Sequence, residues 1–405
     1  MALFLGAKGT DILSLRPVDD LVEAIHDRLG RELSVLPPGS EVPLLEDLQA
    51  RLEEESAFEE EFDARFTAAL NSVEAEDGDL LLAREEFCRL IQDYFERRHS
   101  VVAFFELCGA MRKSLIRRAL EQVEEWMEEH GFGTPPGRYC WFILGCSGRG
   151  EGSLFCDCES VFVFHDDDVQ GNPFYRVFGR KAEELLAPLG LHTRLTAAPA
   201  RFGWQGSIAE WRSRLNEGMV GQHEGDELAI LTGLADLSLV AGDETLAGEM
   251  LNLVRGMLEF HQGALRTLAR NVSEMHTGLD FFGRLRLEKS GPNRGLFDLE
   301  QYALEPLVSN VRVLALKYGV TATGTIDRIK EVMERGPMTV ELAERLLLGF
   351  HVLMSFKIRH EGAVKGKAYL DPEQLSDREE RLLKDSLDAL VNLQRLVYQV
   401  FTEQG

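Results

Sequence analysis

Between residues 139 and 164 the sequence sets out, in order, an aromatic and branched run (Tyr139 to Leu144), four glycines within eight residues (Gly145, Gly148, Gly150, Gly152), and the acids Asp157 and Glu159. Glycines this dense directly after a buried strand let backbone N–H groups come close to an anion, and Ser147 and Arg149 add a hydroxyl and a fixed cation. The spacing is not that of a Walker loop, which a Gly-Lys-Ser or Gly-Lys-Thr would close, nor of the dinucleotide fingerprint Gly-x-Gly-x-x-Gly. Alternate side chains of a strand share a face, so Asp157 and Glu159 point one way and Cys156 and Cys158 the other. A phosphate-holding turn beside two carboxylates is suited to Mg2+ bridging to a triphosphate, as metal-assisted phosphoryl or nucleotidyl transfer requires. The plainer alternative is a tight hairpin connection next to two solvated acids.

Cys146, Cys156 and Cys158 lack a fourth ligand at zinc spacing and read as buried structural thiols, with Cys156 and Cys158 facing the apolar layer of Phe162 and Phe164. Six cysteines in 405 residues are too few for a disulfide scaffold, so free thiols in a reducing cytoplasm are expected. His165-Asp166-Asp167-Asp168 reads as a solvated turn in which Asp167 keeps the phase of the acid patch.

These residues need a scaffold. The strand 139–144, a second strand over 156–164, a helix over 172–189 and a third strand over 191–197 make the skeleton of a small mixed sheet. Upstream, 81–131 reads as helical, with Phe104, Leu107, Cys108, Met111, Leu115, Ala119, Val123 and Trp126 on one stripe and Arg112, Lys113, Arg117 and Arg118 largely outside it. From Glu41 to Asp79 there are 14 acids against Arg51 and Arg65, with Leu52, Phe58, Phe62 and Phe66 at helical spacing. That is an amphipathic solvated helix; the oxygen-ligand loop of a calcium site is missing. Beyond Trp211 helices are expected at 226–240, 244–275, 298–318, 325–334, 339–360 and 376–402. The fold class is α+β, in three parts: an acidic, mostly helical region 1–80, a sheet-bearing domain 81–245 and a helical domain 246–405.

Lys plus Arg total 44 against 68 Asp plus Glu, a net charge of −24. With no basic stripe, nonspecific nucleic-acid binding and anionic-membrane binding are excluded, because phosphate neutralisation supplies most of that affinity. No signal peptide or membrane span is visible, and a cytoplasmic protein is expected.

Gly145-Cys146-Ser147-Gly148-Arg149-Gly150-Glu151 followed by Asp157-Cys158-Glu159 resembles the core of nucleotidyltransferases related to the N-terminal domain of PII uridylyltransferase, which carry a helical C-terminal companion domain. Similar stretches stand at Trp204 to Trp211, Asp236 to Asp243, Phe297 to Glu300, Thr325 to Arg328, Phe356 to His360 and Leu383-Lys384. The resemblance implies a nucleotidyltransferase-type mixed sheet flanked by helices and a nucleoside triphosphate on Gly145, Cys146, Ser147, Gly148, Arg149 and Glu151. It further implies Mg2+ on the catalytic pair Asp157 and Glu159, and a protein hydroxyl as acceptor. Ser147 and Gly148 would hold phosphate, and Arg149 would pair with phosphate or with a carboxylate in the turn. Cys146 replaces the family's first Ser and Glu159 its second strand Asp; Ser238, Glu300 and Glu361 replace Arg, Lys and Gln. No third carboxylate stands between Leu191 and Trp204. A second expectation is therefore a degenerate relative that senses a nucleotide or docks a partner without chemistry.

Overall fold

The computed structural model describes residues 41–75, 78–156, 158–165, 173–191, 204–220, 233–260, 262–280, 282–361 and 368–402, without side chains for 41–48, 217–220, 258–260 and 262. The chain forms two compact units divided between Leu107 and Cys108. In the first, the helices Glu41–Glu74 and Leu80–Arg98 meet through aromatic rings, Phe66 on Phe87 at 5.1 Å and Phe62 on Tyr94 at 4.5 Å between centroids. Arg97 and Arg98 pair with Glu54, Glu55 and Glu59, so part of the acidic face is neutralised. The continuous helix predicted over 81–131 breaks at His99, which adopts φ 53° as a left-handed cap. Ser100 Oγ then accepts from the Ala103 N–H at 3.3 Å and starts the helix Val101–Glu129.

The second unit holds the sheet, in the order β3-β2-β1-β4: β1 Tyr139–Ile143, β2 Ser160–Phe164, β3 Gln205–Ser207 and β4 Ser238–Gly242. β1 is antiparallel to both neighbours and β2 is parallel to β3. Cys140, Phe142, Val161 and Val163 cover one face with Trp211 and Leu215 of the helix Ile208–Val220 and Leu246 and Met250 of the helix Glu244–Phe260. On the other face Trp141 meets Phe162, and Phe162 and Phe164 stack on Phe178 and Tyr175 of the helix Phe174–Leu186. In β1 and β2 both faces are buried, which is why these two strands read as largely apolar runs.

β2 starts at Ser160, later than the predicted Cys156, and the predicted third strand at 191–197 lies outside the described residues from 192 onward. Where a helix over 226–240 is predicted, residues 221–232 are outside the described set, and Ser238–Gly242 is a strand. Its ladder to β1 shifts register between Trp141 and Phe142, and the Val240 carbonyl takes a hydrogen bond from Arg117 Nε at 2.8 Å. The remaining helices, Gln262–Ser273, Glu305–Lys317, Thr325–Arg335, Val340–His360 and Asp377–Thr402, follow the predicted periodicity. The stretch 298–318 instead opens with the short strand β5 (Phe297–Asp298), paired with β6 (Tyr369–Leu370), and one π-type turn. The architecture is the expected α+β arrangement of a small mixed sheet among helices. Among the described residues no helix is long and apolar enough to cross a membrane.

Candidate functional site

β1 delivers the chain into a single helical turn, Gly145–Gly148. Gly145 at φ 64° and Gly150 at φ 72° occupy the left-handed region, where a side chain would be strained. Gly148 is required for another reason: a Cβ there would lie 2.1 Å from the Asp236 carbonyl oxygen. The N–H groups of Gly148, Arg149, Gly150 and Glu151 are spent on carbonyls of the turn and of Leu144. Ser147 is buried, its Oγ 3.8 Å from Cys156 Sγ. Cys146 and Cys156 form a disulfide, which corrects the expectation of free thiols for these two; Cys88, Cys108, Cys140 and Cys158 are thiols. The Cys156 N–H bonds the Ser153 carbonyl, and this bend turns the chain back beside the glycine turn. Cys158 is a buried thiol.

Glu159 extends the β1–β2 ladder by one residue, its carbonyl accepting from the Leu144 N–H at 3.0 Å. Its side chain is exposed, with Oε2 3.8 Å from where a Cβ on Gly145 would stand. The turn and one of the two predicted acids are therefore neighbours. Asp157 lies outside the described residues, as do Asp166, Asp167 and Asp168.

The inner side of the turn is ionic. Arg149 donates from Nε to Glu151 at 2.7 Å and from Nη1 to Asp236 at 2.7 Å. Asp236, fully buried, also accepts from Arg312 at 2.5 and 3.2 Å and from Arg328 at 2.7 Å. Glu151 takes the Thr325 N–H at 2.5 Å. Burial alone would push the Asp236 carboxyl up, but Arg312, Arg149 and Arg328 together hold it well below the usual range. Burial likewise opposes the Arg149 charge and is outweighed by Glu151 and Asp236, so its pKa rises. Arg328 goes the other way: burial lowers it despite Asp236.

A second polar cluster flanks the turn. Arg112 Nη1 donates to the Gly152 carbonyl at 2.7 Å, and Ser153 Oγ donates to Glu361 at 2.5 Å. Lys357 pairs with Glu300 at 2.6 Å. Arg112 and Arg118 are buried, correcting their placement outside the packed stripe. Glu300 and Glu361 both have partners, so these departures from the family pattern are locally compensated. Burial pushes the Glu361 carboxyl up, with Lys357 opposing. The convergence of Arg312 and Arg328 on Asp236, and the bond of Arg112 to Gly152, escape sequence reading; Asp236 and Arg328 stand only in separate family-like stretches.

Among the described residues no group of three or more His, Cys, Asp or Glu could hold a metal ion. Glu159 is an exposed carboxylate where the β1–β2 ladder ends, beside a glycine that carries no Cβ.

Residues 85–224 match the family described as "Putative nucleotidyltransferase DUF294", and residues 262–401 match "Putative nucleotidyltransferase substrate binding domain". The chain is thus similar to this nucleotidyltransferase family over one segment and to its substrate-binding companion over another. The first match contains β1, the glycine turn and Glu159; the second contains Arg312, Arg328, Lys357 and Glu361. No curated protein matches the chain.

Proposed function

We propose that this protein binds a nucleoside triphosphate with Mg2+ at the glycine turn and transfers its nucleotidyl group to a protein hydroxyl in the cytoplasm, as PII uridylyltransferase-like enzymes do. The observation that carries the reading is the Glu159 carboxylate held beside Gly145, inside the segment matched to the nucleotidyltransferase family.

Phosphate would be received at Gly145, Cys146 and Ser147, which open the turn, while Gly148 provides the close backbone packing behind it. Arg149 and Glu151 are bonded to each other and to the helical segment, so they would hold the turn's shape while the backbone meets the ligand. Asp157 and Glu159 would hold Mg2+, which supplies charge neutralisation at the α-phosphate when bound. The acceptor hydroxyl forms its O–P bond in line as the bond to pyrophosphate breaks, and its proton is lost to solvent. Helices from the matched substrate-binding segment bond Asp236 through Arg312 and Arg328, and that segment would present the acceptor.

The second reading, a nucleotide sensor without chemistry, is favoured by one observation: Cys146, where the family has Ser, is bonded to Cys156. Incubation with labelled ATP or UTP, Mg2+ and candidate proteins separates the two. Label on a protein, lost in Asp157→Ala, supports transfer; Mg2+-dependent nucleotide affinity without labelled product supports the sensor.

A further inference from the structure

We infer that Asp236 is a positioning residue through which the helices Glu305–Lys317 and Thr325–Arg335 set the nucleotide affinity of the turn; this rests on the nucleotide-binding reading above. Asp236 gathers three guanidinium groups from three elements: Arg149 of the turn, Arg312 and Arg328 of the two helices. Each of its oxygens accepts two bonds, Oδ2 from Arg149 and Arg312, Oδ1 from Arg312 and Arg328.

The backbone repeats the connection. The Asp236 carbonyl packs against Gly148, the neighbouring Ala235 carbonyl accepts from Arg328 Nη2 at 2.9 Å, and Glu151 bridges Arg149 to the Thr325 N–H. Arg149 is thus held at both edges, Nε by Glu151 and Nη1 by Asp236. It cannot shift without breaking a buried charge-assisted bond on the helical side. Three guanidinium groups against two carboxylates leave the bonded group with a surplus positive charge directly behind a turn built for anions. A purely structural ion pair would not need to include the cation of the turn itself.

The test uses Arg312, which does not belong to the turn and whose side chain keeps 14% of its exposure. Mg·ATP and Mg·UTP are titrated calorimetrically into the full chain, into Arg312→Gln, into Arg312→Lys and into the core variant Leu390→Ala, each well below its own Tm. The inference expects Kd to rise about tenfold in Arg312→Gln, to rise less in Arg312→Lys, and to stay at the wild-type value in Leu390→Ala even where that variant loses as much Tm. Wild-type affinity in Arg312→Gln, or an equal loss in Leu390→Ala, overturns the positioning role while leaving nucleotide binding intact. No binding to the wild-type chain overturns the proposed function itself, and the inference with it.

Discussion

On its inner side the glycine turn presents Gly148, Arg149 and Glu151 to Asp236, Thr325 and the arginines of two helices, and the charged groups there are bonded, with Glu151, Asp236 and Arg328 buried. On its outer side Gly145 borders, and Gly150 and Glu159 meet, solvent, and Glu159 stands at the end of the β1–β2 ladder. The contrast is between charges bonded to one another away from water and a carboxylate exposed at the end of a ladder. Inside, opposite charges at hydrogen-bond distance replace water, so removing one strands the others.

The largest expected effect is on the inner side. Asp236→Asn leaves three guanidinium groups, one of them buried, around a buried neutral amide and should cost about 3–5 kcal/mol, the range for breaking a buried ion pair; urea unfolding checks it, and a cost under about 1 kcal/mol would erase the contrast. Its pH dependence has a definite sign. The Asp236 carboxyl is depressed, so its contribution is complete above the ordinary 3.8 and is lost only as pH falls well below that value. The difference between wild type and Asp236→Asn should therefore close in strong acid and stay constant from mildly acidic to neutral pH. Next in size is Gly148→Ala, whose new Cβ meets the Asp236 carbonyl. Overpacking of this kind costs about 1–3 kcal/mol, read as a lower Tm.

Glu361 sharpens the comparison on the flank of the turn. Its carboxyl is raised by burial, so the stability it supports is present below the ordinary 4.5 and declines as pH rises through its higher folded value. Glu361→Gln should remove that decline from the stability profile between acidic and neutral pH, and an unchanged profile would show that the group does not titrate in the folded chain. The smallest stability effect belongs to Glu159→Ala, within about 0.5 kcal/mol as for an exposed side chain; a larger loss of Tm would mean the outer side is structural after all.

The outer side was the legible one. An aromatic and branched strand and a run of glycines are local signals, and the turn and Glu159 stand close together, while Asp157 lies outside the described residues. The inner side was not legible, because Arg149, Arg312 and Arg328 lie 87, 76 and 92 positions from Asp236 and meet only through packing. Arg112 misled for a related reason: a guanidinium beside an apolar stripe reads as solvated unless its buried acceptor, here the Gly152 carbonyl, is known. β4 was hidden because Leu234 to Gly242 carries Leu and Ala that also suit a helix, and its pairing with β1 is what decides. The break at His99 rests on one left-handed residue in an otherwise helical pattern.

The central claim is that the outer side of the turn receives a metal-bound nucleotide through Glu159. Calorimetric titration of ATP, UTP, GTP and CTP, with and without Mg2+, into the wild type and Glu159→Ala tests it most directly. The account predicts Mg2+-dependent binding to the wild type, weakened more than about tenfold in Glu159→Ala, a loss typical even of indirect metal partners, with Tm unchanged. Equal affinity in both proteins, or no affinity in the wild type, would contradict it.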